Sequence, residues 1–188
     1  MHGTDSDRLP AGWQGNFIGF VAIGLVSGAL SAAIGGAAAE AAASTYIALI
    51  PGVIYGVLTA GYAWFRRLVV TRTAVLFVVA VLFIWGAAVH LAPVTCGDWL
   101  YGSGFLCSLL AAGLVGGGIG AAALALFSAF LVPEFRTPGA VIAMIGAGIV
   151  GGGFLAFGNF AMFCIWQGGM NAVLGFVLSR RSAPVSTP

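Results

Sequence analysis

Apolar residues arrive in blocks near twenty long, separated by short polar stretches, and one run, Gly139 to Leu178, carries no charged side chain at all. A helix rises about 1.5 Å per residue, so that run would be roughly 60 Å long, twice a hydrocarbon core of roughly 30 Å. It reads as two spans with the turn at Gly158-Asn159. Divided the same way, the chain predicts spans over residues 17–36, 44–65, 73–91, 104–132, 139–157 and 160–178, between a tail at 1–16 and another at 179–188. The expected fold is an all-α, polytopic membrane protein: a bundle of six transmembrane helices in the lipid bilayer.

Within that plan some local features stand out. Pro51-Gly52 falls inside the second span and predicts a kink near mid-membrane, because proline lacks the N–H that the helix ladder needs. The third span should close with His90 before Pro93, leaving a polar loop from Pro93 to Gly104. Pro133 to Pro138 reads as a tight connector. The small residues around Glu40, from Ala37 to Ala43, have the look of a signal-peptidase site. Against cleavage, Asp5 and Asp7 outnumber Arg8, and the apolar block exceeds the usual hydrophobic region of about 7–15 residues, so the first block is read as a retained span.

Composition agrees with the pattern. Of 188 residues 61% are hydrophobic and 6% charged, where a soluble domain is about a quarter charged, and the mean hydropathy is +1.09. All seven basic residues are arginines (8, 66, 67, 72, 136, 180 and 181), and six spans put every one of them on the same side. The positive-inside rule then places that side and both termini in the cytoplasm, with the protein in a bacterial-type inner membrane. Arginines scattered at block ends are anchors and make no nucleic-acid surface.

The halves of the chain share short stretches in the same order. Residues 24–28 (GLVSG) resemble 113–117 (GLVGG), 50–53 (IPGV) resemble 137–140 (TPGA), and 83–86 (FIWG) resemble 164–167 (CIWQ). Three spans per half would make this a 3+3 inverted repeat. Small residues also recur every fourth position, at Gly24 and Gly28, Gly113 and Gly117, Gly148 and Gly152, which lays smooth faces on three spans. Such faces serve either internal packing or a homo-oligomer or larger membrane complex.

Candidate chemistry is sparse. Gln167 and Asn171 are four residues apart, on one face of the sixth span, and Tyr55 and Thr59 make a similar pair on the second. They read either as the lining of a solute path or as interhelical hydrogen bonds to Ser27, Ser31, Ser128 or backbone. His90 and Glu40 are ionisable residues expected near the outer interface. Cys96 and Cys107 bracket the outer loop at a spacing that permits a disulfide in an oxidising compartment. No set of side chains here suits a metal, a cofactor or a catalytic centre, so no enzyme is expected. Two function classes follow: a small transporter, channel or solute-binding membrane subunit, or a non-catalytic scaffold or accessory subunit.

Overall fold

The computed structural model describes residues 13–41, 49–97 and 105–180; of these, only the backbone is described at 13, 35–41, 92–97 and 105–108. Six α-helices account for most of that: α1 (Trp13–Ala41), α2 (Ile50–Phe65), α3 (Thr71–Gly97), α4 (Phe105–Leu131), α5 (Pro138–Gly153) and α6 (Asn159–Ser179). Short 3-10 turns, Pro133–Arg136 and Phe154–Phe157, lead into and out of α5. Among the described residues there is no strand. Five helices are long and apolar enough to cross a membrane, and α2 is a shorter apolar helix of 16 residues, about 24 Å.

The surface confirms which solvent these helices expect. Phe65, Phe83, Leu126, Phe130, Ile142, Val150 and Phe157 all point outward, each at least 60% exposed, while Ser27, Ser31, Thr59, Gln167 and Asn171 are buried. A belt of bare phenylalanine and aliphatic side chains around a partly polar interior is stable in lipid and not in water. This is a multi-pass helical membrane protein.

Two local expectations are corrected. Residues 44–48 lie outside the described residues, and α2 starts at Ile50, so Pro51 sits in its first turn. There the missing N–H has no intrahelical partner to lose, and no mid-helix kink results. The third helix does not stop at His90. It runs through Pro93 to Gly97, because losing one ladder bond to the Val89 carbonyl near a helix end costs less than breaking the span.

Each helix packs on its neighbours in the chain, and α6 closes the ring against α1. The two most extensive interfaces, α1–α6 and α4–α5, are where the small residues lie. A β-carbon on Gly24 would come within 2.6 Å of the Gln167 carbonyl, and one on Gly28 within 2.6 Å of the Cys164 Cα. Across the other interface Gly113 faces the Gly152 carbonyl, Gly117 the Gly148 carbonyl, and each of these glycines has backbone where a side chain would stand. Backbone-to-backbone contact maximises dispersion where lipid supplies no hydrophobic drive between helices.

The ends are closed by specific turns. At the arginine-bearing end, α2 finishes in a Schellman motif: Arg67 N–H donates to Trp64 O (2.8 Å) and Leu68 N–H to Ala63 O (2.9 Å), with Arg67 in the left-handed region at φ 57°. Arg66 Nε then donates to Asn16 Oδ1 at 2.8 Å and ties that corner to α1. At the opposite end the chain reverses at Gly158-Asn159, where Gly158 has φ 103° and ψ 160°. That region is open essentially to glycine alone. Gly158→Ala meets no steric neighbour within 4 Å, so its whole effect is backbone strain. It is expected to cost about 1–3 kcal/mol, read as a lower midpoint in reversible detergent unfolding; an unchanged midpoint would show the turn to be different.

The halves match in part. Pro51 and Pro138 both open helices, and Trp85 and Trp166 meet with ring centroids 5.7 Å apart. Yet Gly24 and Gly28 pack on α6 whereas Gly113 and Gly117 pack on α5, so corresponding glycines meet non-corresponding neighbours.

Candidate axial polar column and apolar chamber

Gln167 and Asn171 lie 8 and 12 residues into α6, roughly 12 and 18 Å from its start, and both are completely buried. Gln167 is held at both ends of its amide. Ser27 Oγ donates to Oε1 at 2.5 Å and Nε2 donates to Ser31 Oγ at 3.0 Å, so this one side chain spans a helical turn of α1. Ser27 also reaches the Gly24 carbonyl at 3.0 Å. The glycines that let α1 and α6 approach are therefore what bring these short hydroxyls within reach of the amide.

Asn171 is only half matched. Thr59 Oγ1 of α2 donates to its Oδ1 at 3.1 Å, and its Nδ2 has no partner. Tyr55, one turn earlier on α2, is buried with its hydroxyl unpartnered, and its ring lies 5.7 Å from that of Trp166. Trp166 Nε1 and Ser128 Oγ are buried and unpartnered as well. Of the four residues expected from the spacing, Thr59 is bonded to Asn171 and Tyr55 stands one turn away on α2, whereas Gln167 is turned to α1.

Two cavities flank this set. In the half of the bundle away from the arginines, α3, α4, the end of α5 and α6 border a partly open chamber of about 220 Å³. Its wall includes Trp85, Ala88, Gly116, Gly120, Leu124 and Trp166 and is almost entirely apolar. Towards the arginine end a smaller, apolar-walled space of about 30 Å³ lies among Thr59, Thr73, Ser128, Phe20, Phe135 and Leu178. Trp166 borders the first, Thr59 the second, and Tyr55 and Asn171 lie between them.

Comparison with protein families, curated proteins and solved structures finds no match for this chain. Function has to be read from the interior alone.

Magnitudes say which parts of that interior are unusual. A buried polar group left without a partner costs about 1–3 kcal/mol, and Tyr55, Ser128, Trp166 and Asn171 each hold one. Against a total stability of about 5–15 kcal/mol, that is not trivial. Gln167, by contrast, is satisfied at both ends and acts as a brace between α1 and α6.

The other expected positions fall elsewhere. His90 is exposed on α3, towards the end away from the arginines. The side chains of Glu40, Cys96 and Cys107 lie outside the described residues. Cys164 is half-buried, with Sγ 3.9 Å from the Leu25 carbonyl. The two tryptophans were not anticipated as a site, although their depth was a signal. Tryptophan in a membrane protein favours the interface, so Trp85 and Trp166 at mid-span point to an interior role.

Proposed function

We propose that this chain is a small solute-binding membrane subunit of the transporter or channel class, with its path along the bundle axis through Trp166, Tyr55, Asn171 and Thr59. The observation that carries the reading is the alignment of unpartnered buried polar atoms, Tyr55 Oη, Trp166 Nε1 and Asn171 Nδ2, between two cavities. Polar groups that lack protein partners at membrane depth are affordable where water or a solute meets them for part of the working cycle. In the conformation described the column is closed, with Gln167 and Asn171 fully buried.

The alternative is a non-catalytic scaffold or accessory subunit of a larger membrane complex. Gly24 and Gly28 pack on α6, and the small-residue faces of α4 and α5 pack on each other, which favours the solute-binding reading over docking through those faces. No catalytic step is proposed. The described arginines, Arg66, Arg67, Arg72, Arg136 and Arg180, lie at one end of the bundle, which supports an inner-membrane protein with that end, and both termini, in the cytoplasm.

Cysteine labelling tests the path and the orientation together. In a background without Cys96, Cys107 and Cys164, Asn171→Cys and Thr59→Cys are expected to react in intact cells with a small charged methanethiosulfonate. Ile142→Cys, 68% exposed on the lipid-facing surface, should stay unreactive. Arg180→Cys should react only after the membrane is permeabilised. Full protection of both axial cysteines across several conformational states would sink the path, and reaction of Arg180→Cys from outside would invert the topology.

A further inference from the structure

The chamber between α3, α4 and α6 has a wall whose chemistry selects its occupant, and we infer that it binds a small, neutral aromatic solute of one- or two-ring size. This rests on the solute-binding reading and names the ligand class.

The volume of about 220 Å³ exceeds the roughly 150 Å³ of an apolar cavity known to accept benzene, so a substituted ring or a fused pair fits. The wall carries no ionisable side chain and almost no polar surface, so a charged molecule would be stripped of water with nothing in return. Two indoles line one side: Trp85 and Trp166 stand edge to face at 65°, with Phe163 behind them, 5.4 Å from Trp85 and outside the lining. A planar aromatic guest can extend that pair by stacking or edge contact, the arrangements aromatic rings prefer.

The opposite side is a strip of α4 without side chains, Gly113, Gly116, Gly117 and Gly120. Gly113 and Gly117 are demanded by the backbone of α5, but Gly120 is not. A β-carbon there would meet only Ala88 Cβ at 3.4 Å and Trp166 Cζ2 at 3.6 Å, ordinary contacts. Helix packing therefore tolerates a methyl group at 120, whereas a longer side chain there would have to enter the chamber between Ala88 and Trp166. A flexible acyl chain would fill that space without using the indoles, and the commitment to a ring is what separates the two.

The test is ¹⁹F NMR of fluorobenzene with the full chain in nanodiscs. Saturable binding is expected, with a ring-current shift from the tryptophans and with toluene as a competitor. Hexane and benzoate should compete at least tenfold more weakly than toluene. Gly120→Leu should fill the chamber and weaken binding at least tenfold, and Ala88→Phe, entering from the opposite wall, should do the same if Gly120→Leu does not accumulate. An identical signal from wild type and both variants overturns the site. Hexane competing as well as toluene makes it an acyl-chain cavity, and effective competition by benzoate removes the requirement for neutrality; either outcome overturns the ligand class. Fluorobenzene binding with position 171 fully protected would leave a ligand site without a path, whereas reaction at 171 without binding would leave a path for another solute.

Discussion

Gly152→Ala is expected to destabilise the protein by about 2–4 kcal/mol, while Gly146→Ala, in the same helix, leaves stability unchanged or raises it by up to about 1 kcal/mol. The two positions differ in what a β-carbon would meet. At Gly152 it runs into the Gly113 carbonyl and comes within 2.9 Å of the Gly117 Cα, both rigid backbone. Relief requires α4 and α5 to separate, and with them goes the dispersion that holds one of the two most extensive interfaces together. At Gly146 there is nothing within 4 Å, so the methyl group only reduces the entropy of the unfolded chain. Reversible unfolding in mixed detergent measures both. Equal effects of the two substitutions would mean that close helix approach contributes little here.

Gln167→Leu comes next, with an expected loss of about 1–3 kcal/mol. It removes both hydrogen bonds that Gln167 makes to α1 and leaves Ser27 free to turn its single O–H fully to the Gly24 carbonyl of its own helix. That fallback keeps the loss below the cost of orphaning every group. A double-mutant cycle makes the pair visible: Ser31→Ala should weaken the wild type but change the Gln167→Leu variant by only a few tenths of a kcal/mol. Strict additivity would show that the amide and the hydroxyl do not act together. By comparison, Asn171→Leu should cost little, because Asn171 already leaves Nδ2 unmatched.

Much of this architecture was legible before any coordinates, and the reason is the bilayer. Lipid fixes the length of an apolar block, which is why the split at Gly158-Asn159 follows from the run between Gly139 and Leu178. The pairing of Gln167 with Ser27 and Ser31 was among the possibilities because few polar groups lie at that depth. Pro51 and Pro93 were misread for one reason. A proline's effect depends on which turn of the helix it occupies, and hydropathy does not locate helix ends to within a turn. The chamber was invisible because a void is a property of four helices at once. Trp85 and Trp166 stand out in the sequence only within the matching tetrapeptides, and nothing in their local pattern says that their rings meet.

The closure of α6 on α1 sets a timetable for assembly in the membrane. Ser27 and Gln167 are 140 residues apart in the chain, and Ser31 and Gln167 are 136 apart. At about 5–20 residues per second, α1 waits roughly 7–28 s after insertion before its partner exists. Throughout that interval a glycine-faced helix with two bare hydroxyls is available to any other span nearby. A newborn α1 is thus most exposed to mispairing and to quality-control proteases, and lesions in the last helix would be felt as faulty retention of the first.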